Sequence, residues 1–379
     1  MDISIFNKEL SRCLSCRMKP CEKACPLGVS PHDFIIAAKN NDYNKASALI
    51  AEKNPLPQTC GLVCPDKFCQ KACIRAKIDT PIEIPCLQAK LMGLGNYPQL
   101  VLPDANHKKV AVIGGGPAGL GALHELLMAG YEVDLYEKSS VLGGAARLIP
   151  EYRLPRMVLD MEINRLTQNK KTKIILNSPV TDFENLRQQY DGVILALGEP
   201  IRRTLGIKGE NHCLSYHEYL SNPQHYAYQK VAISGGGEVA LDCAITLKKN
   251  GCKDVEMFVR RRREDMRIMA RNQQELDDLA IKINDLTSIT EVSKSAQTYD
   301  LHTIKNRLNN QGKAEPLIGT ESTLKGYDAV IQALGSYYPQ EDLPKGYIIA
   351  GDMTGLCGTI VQALASGKTA ARQLINGEA

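Results

Sequence analysis

VAVIGGGPAGLGALHELLMAGYEVDLYEK, residues 110–138, is the stretch whose reading decides the fold. Four apolar residues at 110–113 are read as a short buried strand. Gly114, Gly116 and Gly119 follow in G-x-G-x-x-G spacing. A helix is expected over 118–129 and ends at Gly130. A second strand over 132–136 then leads to Glu137. Each part has a physical task. Gly114 permits a tight turn, Gly116 lets backbone approach a pyrophosphate, and Gly119 lets the helix lie close on the strand. Pro117 and Ala118, between the glycines, belong to the same cradle. The start of the helix offers free N–H groups and the positive end of a dipole to phosphates. Glu137, 18 residues beyond Gly119, is placed to accept hydrogen bonds from ribose hydroxyls. The stretch is read as a dinucleotide site; a plain glycine-rich turn in an α/β unit is the blander alternative.

Length and composition bound the rest. A chain of 379 residues has room for two or three domains. No apolar run approaches a membrane span, and MDISIFNKELSRC carries no export signal, so a cytoplasmic protein with no membrane partner is expected. A net charge of +4 from 46 basic and 42 acidic residues is too balanced for nucleic acid as a main partner. Cysteine is more informative. Of 13 cysteines, eight fall in the first 73 residues in two compact groups, which in a chain without an export signal suggests metal rather than disulfides.

The first group is Cys13, Cys16, Cys21 and Cys25, the last followed by Pro26. The second is Cys60, Cys64, Cys69 and Cys73. Between them Ser30 suits a helix cap, Pro31 the first helical position, and Phe34, Ile35 and Ala38 one apolar face. Closely spaced cysteines ending in Cys-Pro are a recurring form of [4Fe–4S] ligation. The alternative is zinc in two four-thiolate sites, but paired C-x2-C knuckles are usual there and only Cys13 and Cys16 have that spacing.

Downstream of Glu137, the sequence VLGG ending at Gly144 continues the cradle. IPEYRLP over 149–155 offers Arg153 as a cofactor contact, or a surface arginine in a proline-bounded loop. A second nucleotide unit begins near 200. Its strand is expected over 231–234, followed by Gly235, Gly237 and Ala240 in G-x-G-x-x-A spacing, with Glu238 opening a helix over 238–249. The next strand ends not at an acid but at Arg260, Arg261, Arg262 and Arg263, with Arg267 beyond. An acid there would favour the ribose of NAD, whereas arginine suits the 2′-phosphate of NADPH. A solvated basic loop is the alternative. YDAVIQALGSYYP over 327–339, with Gly335, echoes DGVILALGEP over 191–200. The first nucleotide unit is read as a flavin half that runs over about 107–198 and is expected to resume there. Gly351 and Asp352 end a last strand, and Asp352 is placed for a ribityl hydroxyl or, alternatively, a turn. A helix over 358–374 begins beside Thr359, with its start toward the flavin ring.

With these motifs in this order, the chain resembles the electron-input module shared by glutamate synthase small subunits and the N-terminal half of dihydropyrimidine dehydrogenase. The resemblance covers essentially the whole chain. It implies an α/β protein with a helical iron–sulfur domain, residues 1–105. Two interleaved Rossmann-like domains follow, FAD-binding over 106–199 and 327–379 and NADPH-binding over 200–326. It also implies two [4Fe–4S] clusters, one held by Cys13, Cys16, Cys21 and Cys73, the other by Cys25, Cys64, Cys69 and Gln88. Glutamate synthase small subunits lack that glutamine. Cys64 and Cys69 stand one residue closer than the family's usual spacing. Arg260, Arg261 and Arg267 match positions that contact the NADP phosphate. Glu137, Arg153, Gly351 and Asp352 match FAD-contacting positions.

The reading is an electron-input oxidoreductase subunit, with no residue demanded as a general acid or base. Hydride passes from NADPH to FAD, then single electrons through the clusters to a catalytic partner subunit. That partner would be an FMN and/or iron–sulfur enzyme of dihydropyrimidine dehydrogenase type. A glutamate synthase-like donor and a stand-alone NAD(P)H:acceptor reductase are the alternatives. A dithiol–disulfide reductase would need a cysteine pair beside the flavin, and no C-x2-C accompanies either glycine turn. A non-catalytic binding module would have no use for two intact phosphate turns.

Overall fold

In the computed structural model, which describes residues 1–377, the chain forms two compact units. The first comprises Met1–Arg147, Glu151–Pro200 and Tyr337–Ala379. The second comprises Leu148–Pro150 and Ile201–Ser336.

The first unit opens with short helices. Asp2 accepts from the amides of Ser4 and Ile5 to start Ile3–Arg12. Pro31–Lys39 starts as its sequence suggests: Ser30 caps it, Pro31 takes its first position, and Phe34, Ile35 and Ala38 are buried. Pro57–Val63 and Ile84–Leu94 pack so closely that a Cβ on Gly61 would lie 2.5 Å from the amide nitrogen of Ala89. A five-stranded parallel sheet follows. Its order is Ile348–Ile349, Gly192–Leu195, Lys109–Ile113, Glu132–Tyr136, Thr172–Ile175. Val110, Val112 and Leu135 are fully buried, as strands covered on both faces require. Pro117–Met128 is the helix after the first glycine turn. Gly130, at φ 85°, releases the chain from it into the next strand.

The second unit repeats this plan. Its parallel sheet runs Leu214–Ser215, Ala329–Gln332, Lys230–Ser234, Asp254–Phe258, Lys282–Asn284. Glu238–Lys249 is the helix after the second glycine turn. An antiparallel sheet, built on Thr287–Ser295, Thr298–Leu308 and Ser322–Tyr327, covers one face. Ile289, Val292, Leu301 and Tyr327 from it form a core with Ala232, Phe258 and Val330 from the parallel sheet. Residues 327–336, expected with the flavin part, lie in this second unit, because Ala329–Gln332 is hydrogen-bonded beside Lys230–Ser234. Among the described residues no helix is long and apolar enough to cross a membrane.

Candidate functional site

At the first glycine turn, the strand exits and the glycines fit one another. A Cβ on Gly114 (φ 111°) would lie 2.3 Å from the carbonyl oxygen of Ala196, and one on Gly119 would lie 1.8 Å from that of Gly114. Only glycine lets the turn, the helix and the neighbouring strand exit meet this closely. Gly143 donates its N–H to the Gly115 carbonyl, 2.8 Å, and Gly144 lies against Gly116. The sequence up to Gly144 therefore walls the cradle. Pro117 and Ala118 begin the helix, whose first turn has no side-chain cap.

Glu137 is buried at the end of its strand. One carboxylate oxygen accepts from the Gly115 N–H at 2.8 Å, the other from the Ser139 N–H and hydroxyl at 2.9 and 2.8 Å. These bonds aim the carboxylate along the turn. The motif pattern does not single out Ser139, although its place two residues after an acid is a local signal.

The C-terminal segment reaches the same turn. Gly351, at φ 81°, lies where a Cβ would stand 2.6 Å from the Ala118 Cβ, and its N–H donates to the Ser366 hydroxyl at 2.9 Å. Nothing local in the sequence marks Ser366. Asp352 follows. Burial pushes its carboxyl above the usual range, a shift opposed by the Gly358 amide. Its Oδ1 is buried with no partner among the described residues. A buried acceptor without a donor is costly, so this oxygen fits a ligand hydroxyl. Thr359 caps Ile360–Ile375, accepting from the Gln362 amide. Arg153 sits partly buried in the turn before Arg156–Thr167. The cradle, the aimed carboxylate and the orphaned Asp352 oxygen together suit the pyrophosphate, ribose and ribityl chain of a flavin dinucleotide.

The same unit carries the cysteines. Cys13, Cys16, Cys21 and Cys73 line one cavity, with Leu14 and Ile74 at its sides. Burial pushes the Cys21 thiol up to about 11, and proximity to Cys13 and Cys73 adds to it. Burial likewise raises Cys69, with Cys64, Cys25 and Cys21 contributing, and raises Cys25. Thiols that resist ionisation on their own suit a cationic centre that takes up their charge. Among the described residues no three His, Cys, Asp or Glu side chains converge as on a single metal ion. Thiols spread around a cavity suit a cluster whose irons are held one by one. Gln88 is buried, and its amide nitrogen donates to the Pro57 carbonyl at 2.7 Å. Cys60, which the resemblance leaves out of both ligand sets, is buried within Pro57–Val63.

In the second unit the glycine turn is built like the first. A Cβ on Gly235 (φ 148°) would lie 2.4 Å from the Ala333 carbonyl oxygen and 3.2 Å from the Ala240 Cβ. The two A-L-G echoes thus serve as matching floors under two glycine turns, and Gly198 and Gly335 both turn at positive φ just beyond them. Gly237 faces open space. Glu238, which opens the helix and is read with the cofactor-binding turn, accepts from the Met269 N–H and the Asn272 amide, tethering that segment to the helix start. The Arg267 N–H donates to the Gly236 carbonyl at 3.0 Å, which brings Arg267 alongside the turn. Arg262 pairs with Glu264 and Arg263 with Asp277. Among the described residues, the exposed side chains of Arg260, Arg261 and Arg267 have no such acid. Cys243 and Cys252 belong to the apolar core of this unit.

Comparison with known proteins agrees with both halves. Residues 4–93 match the family described as dihydropyrimidine dehydrogenase domain II, 4Fe-4S cluster, and residues 108–344 match the pyridine nucleotide-disulphide oxidoreductase family. The chain is 31% identical over 389 aligned positions to a Salmonella typhi protein named NAD-dependent dihydropyrimidine dehydrogenase subunit PreT homolog, covering 97% of this chain and 93% of that one. It is 27% identical to the NADPH-Fe(3+) oxidoreductase subunit beta of Geobacter sulfurreducens, over 83% of this chain and 50% of the relative. In fold it is similar to FprA of Mycobacterium tuberculosis, solved in complex with NADPH. The TM-score is 0.62 at 17% identity, covering 72% of this chain and 84% of FprA.

Proposed function

Since the chain belongs to the pyridine nucleotide-disulphide oxidoreductase family and carries a dihydropyrimidine dehydrogenase-type 4Fe-4S domain ahead of it, we propose that it is the NADPH-oxidising, electron-delivering half of a two-component enzyme. It is an NAD(P)H-dependent oxidoreductase and an electron-transfer subunit, as its relatives are. The proposal adds the nucleotide, FAD, two [4Fe–4S] clusters and the partner. One observation carries it: the cavity lined by four thiols and the first glycine turn belong to the same compact unit. Bound there, FAD would take two electrons together as hydride and release them singly to the clusters.

The chain's own residues supply position and charge. Gly114, Gly116, Gly119 and Gly144 keep side chains out of the pyrophosphate's path, and Glu137 and Asp352 accept from sugar hydroxyls. Thr359 ends the chain's approach at a helix start, whose dipole favours negative charge on the reduced ring. In the second unit Gly235, Gly237 and Ala240 admit the second nucleotide. Arg260, Arg261 and Arg267, which pair with no acid among the described residues, favour the 2′-phosphate of NADPH. Cys13, Cys16, Cys21 and Cys73 would hold one cluster, and Cys25, Cys64, Cys69 and Gln88 the other. With its nitrogen engaged by Pro57, Gln88 keeps its oxygen as the ligand atom.

The partner is a catalytic subunit of dihydropyrimidine dehydrogenase type. Leu14, Met18, Ile74 and Ile78 are exposed on the segments that line or flank the first cavity and suit its docking face.

The test is anaerobic. The purified protein should carry about eight irons and eight sulfides. NADPH should bleach its flavin at lower concentration than NADH. Pull-down should recover an FMN or iron–sulfur protein. Zinc in place of iron, or a flavin that NADPH leaves oxidised, would sink this reading. Efficient turnover with a small acceptor and no partner would favour a stand-alone reductase.

A further inference from the structure

The segment that leads to Cys64 is anchored by a residue far away in the chain. Pro57–Val63 follows Leu56, which provides no side-chain cap, and Pro57 has no N–H to offer. The next two amides both go to Glu162. Gln58 donates to one carboxylate oxygen at 2.6 Å and Thr59 to the other at 3.0 Å. The Tyr97 hydroxyl lies between Glu162 and the Gln58 side chain, 2.9 and 3.0 Å from their oxygens. Glu162 is fully buried in Arg156–Thr167, a helix of the nucleotide-binding part of the same unit. Burial raises its carboxyl, and the surrounding donors oppose that shift.

Other contacts of the segment bear on the second cysteine group. Cys60 is buried in its middle, and the Cys64 N–H closes it by donating to the Cys60 carbonyl at 2.9 Å. The Gln88 amide holds the Pro57 carbonyl at the end where Glu162 acts. Gly61 seats the segment on Ala89 without room for a Cβ. The segment is thus clamped on one side by the helix of Gln88 and on the other by Glu162.

We propose that Glu162 is a positioning residue for the second cluster. Through the amides of Gln58 and Thr59 it sets the register of Cys64 and Gln88. This rests on reading Cys25, Cys64, Cys69 and Gln88 as cluster ligands. Two consequences follow. Without the two-point grip, the segment can shift and the second cluster is lost while the first stays. If the cluster survives, the shifted segment alters its ligand geometry, and its EPR signal and midpoint potential move while those of the first cluster stay.

The variant is Glu162→Gln, which keeps one acceptor and sets an NH2 against the other amide. Wild type and variant are compared for iron and sulfide content, flavin content, EPR spectra and cluster potentials under anaerobic conditions. The expected result is selective. Iron falls from about eight toward about four, or the EPR signal and potential of one cluster shift, while flavin content and bleaching by NADPH are kept. Tyr97→Phe removes one donor and leaves both amide bonds. Should Glu162→Gln not fold, a change confined to one cluster signal in Tyr97→Phe, with flavin retained, carries the same conclusion. Unchanged clusters, or loss of both clusters and flavin together, overturns the positioning role. Wild-type protein without iron would instead overturn the cluster assignment itself, so the two failures are distinct.

Discussion

Gly367 lies so close to Ala118 that a Cβ on the glycine would stand 1.8 Å from the Ala118 carbonyl oxygen. Gly121 returns the contact, with a Cβ that would meet the Leu364 carbonyl oxygen at 2.3 Å. Pro117–Met128 and Ile360–Ile375 therefore cross backbone to backbone. This crossing, with Gly351 against Ala118, brings Asp352 and Thr359 to the first glycine turn from the far end of the chain.

Gly367→Ala must part the two helices or bend one. Such overpacking costs about 1–3 kcal/mol. The expected outcome is a lower melting temperature together with loss of flavin on gel filtration, read from the absorbance ratio of flavin to protein. A variant that keeps its flavin and its melting temperature would show that the crossing is not needed to shape the site.

Asp352→Ala should separate stability from binding. In the protein without flavin it removes a buried Oδ1 that has no partner among the described residues, along with the carboxyl's bond from the Gly358 amide. Because the folded carboxyl lies above its ordinary value, its favourable contribution is present at pH below the ordinary carboxylate range and is lost as pH rises through the raised value. At neutral pH the flavin-free variant should therefore be no less stable than wild type in urea. Flavin affinity should fall roughly 10- to 100-fold, the worth of one hydrogen bond to a charged group. Fluorescence titration of the flavin-free protein measures this directly.

Alanine at Arg267 or Arg261 should discriminate between the two nicotinamide cofactors. Loss of a charge-assisted bond to the 2′-phosphate raises KM for NADPH about tenfold or more. KM for NADH, which has no such phosphate, should move little. Stopped-flow bleaching of the flavin with each cofactor reads both values. Equal weakening for both would place the arginines on the shared pyrophosphate.

His124 predicts a pH dependence. It is buried in Pro117–Met128, its Nδ1 has no partner among the described residues, and burial with nearby Lys368 lowers its pKa to about 3. A depressed folded value means that the unfolded chain binds the extra proton, so stability is lost as pH falls below about 6.5 toward the folded value. Between pH 7 and 5.5 that loss is about 1 kcal/mol. Urea titrations at the two pH values should show it in wild type, and His124→Leu should abolish this part of the slope.

Much of the site is legible in the sequence because its causes are local. A glycine turn between an apolar strand and a helix is a requirement on adjacent backbone, and both turns stand where their spacing puts them. The arginine run is legible for the same reason. What local pattern cannot tell is which arginines are neutralised. Asp277, from another segment, neutralises Arg263, whereas among the described residues no acid pairs with Arg267.

The sequence by itself determined the kinds of elements, the two nucleotide turns and the grouping of cysteines, because positive φ, apolar periodicity and short spacings act within a few residues. Only the tertiary structure decided which sheet each similar strand joins. DGVILALGEP and YDAVIQALGSYYP differ little, yet one lies beside Lys109–Ile113 and the other beside Lys230–Ser234. Strand pairing depends on register and on partners far along the chain, which a local motif does not record. The same holds for Glu162: a carboxylate in an ordinary helix gains its role only because folding brings the amides of Gln58 and Thr59 to it.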